Sequence, residues 1–301
     1  MDRDLLPHLP VVLAVARRAG FAAAAAELGM GASAVSHAVR LVEQRLGTPL
    51  FARTTRSVAL TEAGAELVAA LGPAFAGIAE ATERLAASRG QVVGTLRINA
   101  PSVALPMALA PILAALAARH PALTVEVATD NALTDIVAAG FDAGIRLGEM
   151  VAEDMVATRL TPPFSALMVA SPGYLAARGT PGRLADLAQH NCIGFRLAGS
   201  GAVYQWELRE DGRDVAVAVR GSVRVTDPLA ARDLALAGLG LAYVFEPLVR
   251  DALADGRLVA VLPGTAIEEP GLFLYHPRRA SEAAKLRAFL DTARALRRRD
   301  R

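Results

Sequence analysis

The sequence predicts a chain in three parts: a small helical unit bearing a β-hairpin wing, one long linker helix, and an α/β domain of two lobes. Three observations carry this. Apolar residues recur at helical spacing from Leu5 to Leu46. A second stripe, Leu67, Leu71, Ala74, Ile78, Ala81 and Leu85, repeats at alternating steps of four and three, the heptad rhythm of a long helix. From Thr95 onward, strand-like and helix-like segments alternate, which fits helices laid over a largely parallel sheet.

Composition excludes several classes. A chain of 301 residues is long enough for two or three domains with separate cores. Its 53% hydrophobic and 21% charged residues are those of a globular protein. No apolar run of roughly eighteen residues free of charges or helix breakers occurs, so no membrane span is expected. "MDRDLLPHLP" has acids and prolines where a signal peptide needs a basic start and an apolar stretch, so a cytoplasmic location is expected. Cys192 is the single cysteine, which rules out an intrachain disulfide and suits a reducing compartment. Net charge is only +2, and Lys285 is the single lysine among many arginines. That balance permits nucleic-acid binding without requiring it.

In the first part, Leu5, Leu9, Val12, Leu13 and Ala16 share a helix face, and Gly20 is expected to end that helix. "FAAAAAEL", Phe21 to Leu28, is a second helix stopped by Gly29; its alanines allow close helix approach. A third runs from about Ala32 to Leu46, capped by Gly31 or Ser33. Its inward face is Val35, Ala38, Val39, Val42 and Leu46; Ser33, Ser36, His37, Arg40 and Gln44 form the outward stripe. A small-residue helix, a Gly turn and a polar-striped helix match the helix-turn-helix pattern. The outward side chains suit phosphates and base edges. From Ser36 to Leu60, Arg40, Arg45, Arg53 and Arg56 face Glu43 alone, a local net of +3 and a basic patch. "LFARTTRSVALTEAG" fits a β-wing, with Arg53, Thr54, Thr55 and Arg56 at the turn that reaches DNA. Taken alone, the segment also fits a solvated helix followed by a basic hairpin.

"FAAAAAELGMGASAVSHAVRLVEQRLGTPLFARTTRSVALTEAG", Phe21 to Gly64, resembles the winged helix-turn-helix of LysR-type transcriptional regulators. The pattern is met by Ala25, Leu28, Val35, Ser36, Val39, Arg40, Glu43, Leu46, Gly47, Leu50, Phe51, Arg53, Arg56, Leu60, Thr61, Ala63 and Gly64. Gly31 and Ala32 stand where the family commonly has Ser and Gln, and Val42 replaces a leucine. The missing Gln removes a base contact, so the recognised operator sequence stays open.

Thr61 is a natural cap for the linker helix, and Pro73 inside it is a candidate kink. A lone helix with an apolar stripe exposes it to water, so the stripe needs a cover, either a second copy or the same chain. The resemblance implies the second copy, with Leu67, Leu71, Ile78 and Leu85 pairing subunits into a homodimer or homotetramer. "SRGQVVG" is the hinge that follows. Expected boundaries are 1–62 for the winged unit, 63–90 for the linker and 91–301 for the two lobes. Lobe I takes about 91–162 and 268–301, and lobe II takes 163–267.

Within the lobes, "TLRINA", "LTVEVAT", "AGIRLG" and "SALMVAS" are strands. Helices are expected at Pro106–Arg119, before Ala139, at "PGYLAARG" and "RLADLAQH", and from Glu282 to Leu296. A hairpin turns at Asp211 and Gly212. With chain crossings near Pro162 and Glu268, this resembles the periplasmic-binding-protein-like effector domain of the same family. The cleft between lobes is then the ligand site. Ser102 suits an anion at a helix start and equally suits a helix cap. Thr129 and Asp130 end a strand. The resemblance puts Arg146 near the cleft, where it is expected either to clamp a carboxylate or to pair with Asp142 or Glu149. Phe195 and Thr226 take corresponding places on the second lobe, although Phe195 equally fits the core.

His190 and Cys192, two residues apart on a strand, do not make a nucleophile and base, and no metal cluster, phosphate loop or paired carboxylates stand out. "LAGLGLA" leads from helix into strand, the reverse of a phosphate-binding loop. "RRRDR" reads as a solvated tail. No catalysis, cofactor, metal or membrane partner is expected. The expected function is a transcriptional regulator that binds double-stranded promoter DNA and answers to a small-molecule effector. The alternative is a small-molecule binding protein whose helical N-terminus serves only assembly.

Overall fold

The computed structural model describes residues 4–53, 58–87, 91–148 and 155–299. Its contacts divide the chain into two compact units, Met1–Arg89 and Gly90–Arg301.

The first unit opens with a short 3₁₀ turn, Leu6–His8, that runs into α1, Leu9–Arg18. Pro10 sits in the first turn of α1, where its missing N–H costs nothing. Gly20 does not end this helix: the left-handed cap is Ala19, φ +49°, and Gly20 is the extended residue that starts α2, Phe21–Leu28. Gly29, φ +62°, closes α2 and Gly47, φ +67°, closes α3, Ala32–Leu46. Leu9, Val11, Val12, Ala14, Val15, Ala24, Ala25, Val35, Ala38, Val39 and Val42 form the core of this unit, with Leu50 and Phe51. The wing is β1, Phe51–Arg53, paired antiparallel with β2, Val58–Leu60. Phe21 meets Phe51 edge to face at 6.0 Å, which seats the wing on α2.

The linker helix α4 spans Glu62–Ala87 and continues through Pro73. Thr61 caps it: its hydroxyl accepts from the Gly64 N–H at 3.0 Å and donates to the Pro49 carbonyl at 2.7 Å. The first half of the expected dimer stripe has another use. Leu67 and Leu71, with Val68 and Phe75, pack against the core of their own unit. Ile78 and Leu85, beyond that contact, are 60% and 68% exposed. Residues 62–79 form the one described helical stretch long and apolar enough to cross a membrane by composition, and that stretch carries Glu62 and Glu66.

In the second unit, lobe I is a five-stranded sheet in the order β4-β3-β5-β15-β6. These strands are β3 Gly94–Ala100, β4 Leu123–Thr129, β5 Ala143–Leu147, β6 Met155–Arg159 and β15 Leu272–Pro277. Strand β3 pairs parallel with β4 and β5, while β15 pairs antiparallel with β5 and β6. Helices α5, Ala110–Arg119, and α9, Ala284–Arg299, cover it through Ile112, Leu116, Leu286 and Phe289. The expected helix before Ala139 is one turn only. Asp135 caps it by accepting from Val137 and Ala138 N–H, and Gly140, φ +73°, ends it. The first three residues of "RRRDR" complete α9, and Arg297 donates to the Arg159 carbonyl at 2.6 Å; Asp300 and Arg301 lie outside the described residues.

Lobe II centres on β7, Phe164–Ala170, flanked by β12 Ala242–Phe245, β13 Val259–Val261 and β14 Ile267–Glu269, all antiparallel to it. The sheets are therefore mixed in lobe I and antiparallel in lobe II, because β12 to β15 run back against the strands that precede them. Beside the main sheet, β8, Gly194–Phe195, pairs parallel with β11, Arg224–Val225. Strands β9, Trp206–Glu210, and β10, Arg213–Val217, form the hairpin that turns at Asp211, φ +51°, and Gly212, φ +77°. Trp206 is buried in the core on this side and stacks on Tyr243 at 5.8 Å. Helix α6, Pro172–Arg178, is capped by Ser171, and α7, Pro228–Leu236, by Asp227. The two crossings between lobes touch each other: the Leu272 N–H donates to the Thr161 hydroxyl at 2.9 Å, and Gly271, φ +96°, lies against the Thr161 and Pro162 carbonyls.

Candidate nucleic-acid interface and interlobe site

Helix α3 buries one face and offers the other. Val35, Ala38, Val39 and Val42 close the core at helical spacing, leaving Ser33, His37, Arg40 and Gln44 exposed and Ser36 half-buried. Gly31 is the capping residue, so the Ser33 hydroxyl stands inside the first turn rather than at the cap. Leu46, expected inward, is 43% exposed because the helix ends there and the chain turns away at Gly47. Among the described residues Arg40 has no acidic partner; its Nε donates to the Ser36 carbonyl one turn back, at 3.3 Å.

Two members of the expected charge patch are spent elsewhere. Arg45 pairs with Asp4 at 3.3 Å. Glu43 turns its Oε1 to the Leu50 and Phe51 N–H groups, at 2.9 and 3.2 Å, and so fixes the chain as it enters the wing. Arg17 and Arg18 both bond Glu27, tying α1 to α2. Thr54, Thr55 and Arg56, like the Arg53 side chain, lie outside the described residues.

Between the lobes, the structure brings Ser102 and Thr226 together through two residues that sequence reasoning missed, Asn131 and Asp227. The Ser102 hydroxyl donates to Asp227 Oδ1 at 2.6 Å, and the Ser102 N–H donates to Asn131 Oδ1 at 3.0 Å. Asn131 Nδ2 in turn donates to the Thr226 carbonyl at 3.0 Å. Asp227 Oδ1 also accepts from the Leu229 N–H at 2.9 Å as the cap of α7. "TDPL", an acid before proline at a helix start, is the signal that could have found Asp227.

The other expected cleft residues are placed differently. Thr129 is exposed at the end of β4, and Phe195 is half-buried in β8. Asp130 shapes its own turn, accepting from the Ala132 N–H and the Thr134 hydroxyl at 2.9 and 3.0 Å. Arg146 is only 3% exposed and pairs with no described carboxylate at hydrogen-bond distance. Its guanidinium donates to the Ile145 and Ala132 carbonyls and to Asn99 Oδ1, each at 2.6 Å, and its buried Nε has no partner among the described residues. Burial lowers its pKa, countered in part by Tyr275 and Asp130. Asp142, one expected partner, is taken by Lys285 at 2.9 Å and by the Arg97 N–H at 2.8 Å. Glu149, the other, lies outside the described residues.

Residues 6–65 match the family described as bacterial regulatory helix-turn-helix protein, lysR family, and residues 89–298 match the LysR substrate binding domain. The chain belongs to the LysR-type transcriptional regulators. This LysR-type regulator is 40% identical to YcaN, an HTH-type transcriptional regulator of Escherichia coli, over 92% of this chain and 91% of that one. It is 35% identical to the E. coli regulator PgrR, over 97% of each. The structure of CrgA, a LysR-type regulator of Neisseria meningitidis, is similar with a TM-score of 0.61 at 28% identity, covering 96% of this chain and 98% of that one. Full-length AphB of Vibrio cholerae, at 22% identity, shares the fold with a TM-score of 0.70, covering 96% of this chain and 98% of that one. The helix-turn-helix and the two lobes are thus the DNA-binding and effector-binding domains of a transcriptional regulator.

Lobe II of the LysR-type regulator also carries an open groove of about 740 Å³ lined by Ser171, Tyr174, Arg178, Gln189, Asn191 and Gly238, among others. None of Ser102, Asn131, Thr226 and Asp227 lines it, and Asn191 is spent on the Leu239 carbonyl and the Ser222 N–H at 2.8 and 2.7 Å. Nearby, Cys192 is 1% exposed and burial pushes its thiol up to about 12. His190 does not meet it in the described contacts; its Nδ1 faces the Tyr174 hydroxyl at 3.2 Å.

A pKa raised on folding means that the stability Cys192 contributes is complete below pH 9 and is lost between pH 9 and about 12. At pH 8 its thiolate is about 10³-fold scarcer than that of an ordinary thiol. Native protein treated with iodoacetamide at pH 8 is expected to stay unmodified by mass spectrometry and to react fully once denatured. Comparable rates in both states would show that the thiol is accessible.

Proposed function

We propose that this regulator lays α3 in the major groove of promoter DNA, with Ser33, Ser36, His37 and Arg40 on bases and phosphates. Arg53, Thr54, Thr55 and Arg56 of the wing reach the backbone or minor groove. The observation that carries this is the exposed polar stripe of α3 set against its fully buried valine face. Two or four chains assemble through the outer part of α4, where Ile78 and Leu85 are exposed; Leu67 and Leu71 support this from within their own unit. A small-molecule effector enters between the lobes, near Ser102, Thr129, Asp130, Phe195 and Thr226, with Arg146 as buried support. The protein acts in the cytoplasm, without catalysis.

The test is binding of purified protein to the DNA immediately upstream of its own gene, at two salt concentrations, against unrelated DNA of equal length. Salt-sensitive preference for the upstream fragment is expected. Folded, oligomeric protein that prefers neither fragment would overturn the reading.

A further inference from the structure

The groove on lobe II has a fixed floor and unspent donors at its rim. Asn191 makes the floor. Its N–H donates to the Tyr174 hydroxyl at 2.9 Å and its Nδ2 to the Leu239 carbonyl at 2.8 Å, while its Oδ1 and its carbonyl accept from the Ser222 and Leu241 N–H groups at 2.7 and 2.9 Å. One residue thus joins α6, the chain at Ser222 and the turn from α7 into β12. Behind it the backbones pass so closely that a β-carbon on Gly221 or Gly240 would lie 2.0 Å from the Cys192 or the Asn191 carbonyl oxygen. A floor held in this way is formed before any occupant arrives, as in most small-molecule sites.

Around this floor the side chains divide by chemistry. Arg178 at the end of α6, Gln189 at the end of the 3₁₀ turn Leu184–Gln189, and Ser222 are all exposed. Among the described residues, none of these three side chains is engaged in a hydrogen bond or an ion pair. Arg178 is the one charged residue among those described around the groove, and no described carboxylate lines it. Half-buried Leu236 and Leu239, with the Ala177 methyl, supply an apolar wall. The volume of about 740 Å³ falls within the range that small-molecule sites occupy. We propose that this groove binds a small organic carboxylate, with its anion on the Arg178 guanidinium, Gln189 and Ser222 donating beside it, and its apolar body against Leu236 and Leu239. One guanidinium and two neutral donors match a single negative charge shared by two oxygens in a plane. The site belongs to lobe II alone and does not depend on DNA binding.

The test is a saturation-transfer NMR titration of the full chain with phenylbutyrate and, beside it, phenylbutyramide, which keeps the apolar body and lacks the charge. The carboxylate is expected to bind saturably and about tenfold more tightly than the amide, the advantage of a charge-assisted bond over a neutral one. Two variants separate this groove from any binding between the lobes. Arg178→Gln removes the cation, and Ala177→Phe fills the space beside it. Both positions are exposed, so melting should stay with the parent's. Each variant is expected to weaken phenylbutyrate about tenfold. Absence of saturable binding by the parent, equal binding of the amide, or parent-like affinity in either variant overturns the proposal.

Discussion

Gly64→Ala is expected to collapse the N-terminal unit and to abolish promoter binding while leaving the two lobes folded. A β-carbon at this position would lie 2.0 Å from the Leu50 carbonyl oxygen and 2.9 Å from its carbon. The obstacle is backbone, and that backbone is held: the Leu50 carbonyl accepts from the Thr61 N–H at 2.9 Å, and its N–H is bound by Glu43. Overpacked cores lose about 1–3 kcal/mol when side chains can shift; here neither partner can, so a loss above ~3 kcal/mol is expected, enough to lower the melting temperature of so small a unit by ~12 °C or more. Scanning calorimetry separates the units, because the lobes share none of these contacts. A variant that melts with the parent would mean that the start of α4 does not sit against Leu50.

Arg40→Ala is expected to produce the largest loss of DNA binding that leaves the fold intact. Its one described contact is the long bond to Ser36 on its own helix, so stability should move by no more than ~0.5 kcal/mol. On DNA, losing an arginine contact costs about 1–3 kcal/mol, and an assembly that presents two such helices pays it twice, about 10²-fold or more in affinity. The slope of log affinity against log salt should fall by about 2 if both arginines neutralise phosphates. Parent-like affinity and slope would remove Arg40 from the interface.

What the sequence made legible follows from locality. Helices α1 to α3, the wing and the Asp211–Gly212 turn are set by spacing and turn chemistry within a few residues, and they lie where those signals put them. The errors sit where one local signal serves two ends. Leu67 and Leu71 carry the heptad step, yet that step only says that one face is covered, and here their own core covers it. Arg45 and Glu43 look like opposing surface charges, but one finds Asp4 and the other finds backbone. Strand direction in the lobes depends on how β12 to β15 return, which no short pattern records. Asn131 of lobe I meets Thr226 of lobe II, and Asp227 of lobe II meets Ser102 of lobe I, so these partnerships are written in the topology alone.

Trp206 gives this molecule a built-in optical label. It is the single tryptophan, it sits in the lobe II core, and Tyr204 and Tyr243 lie close enough to pass excitation to it, with Tyr243 at 5.8 Å from the indole and at 6.4 Å from Tyr204. Emission excited at the indole band therefore reports lobe II and nothing else, and its shift to the red marks the moment that lobe admits water. Circular dichroism, by contrast, sums the helices of the whole chain. Running both through one denaturant titration resolves the melting of lobe II from that of the rest without a dye or a mutation.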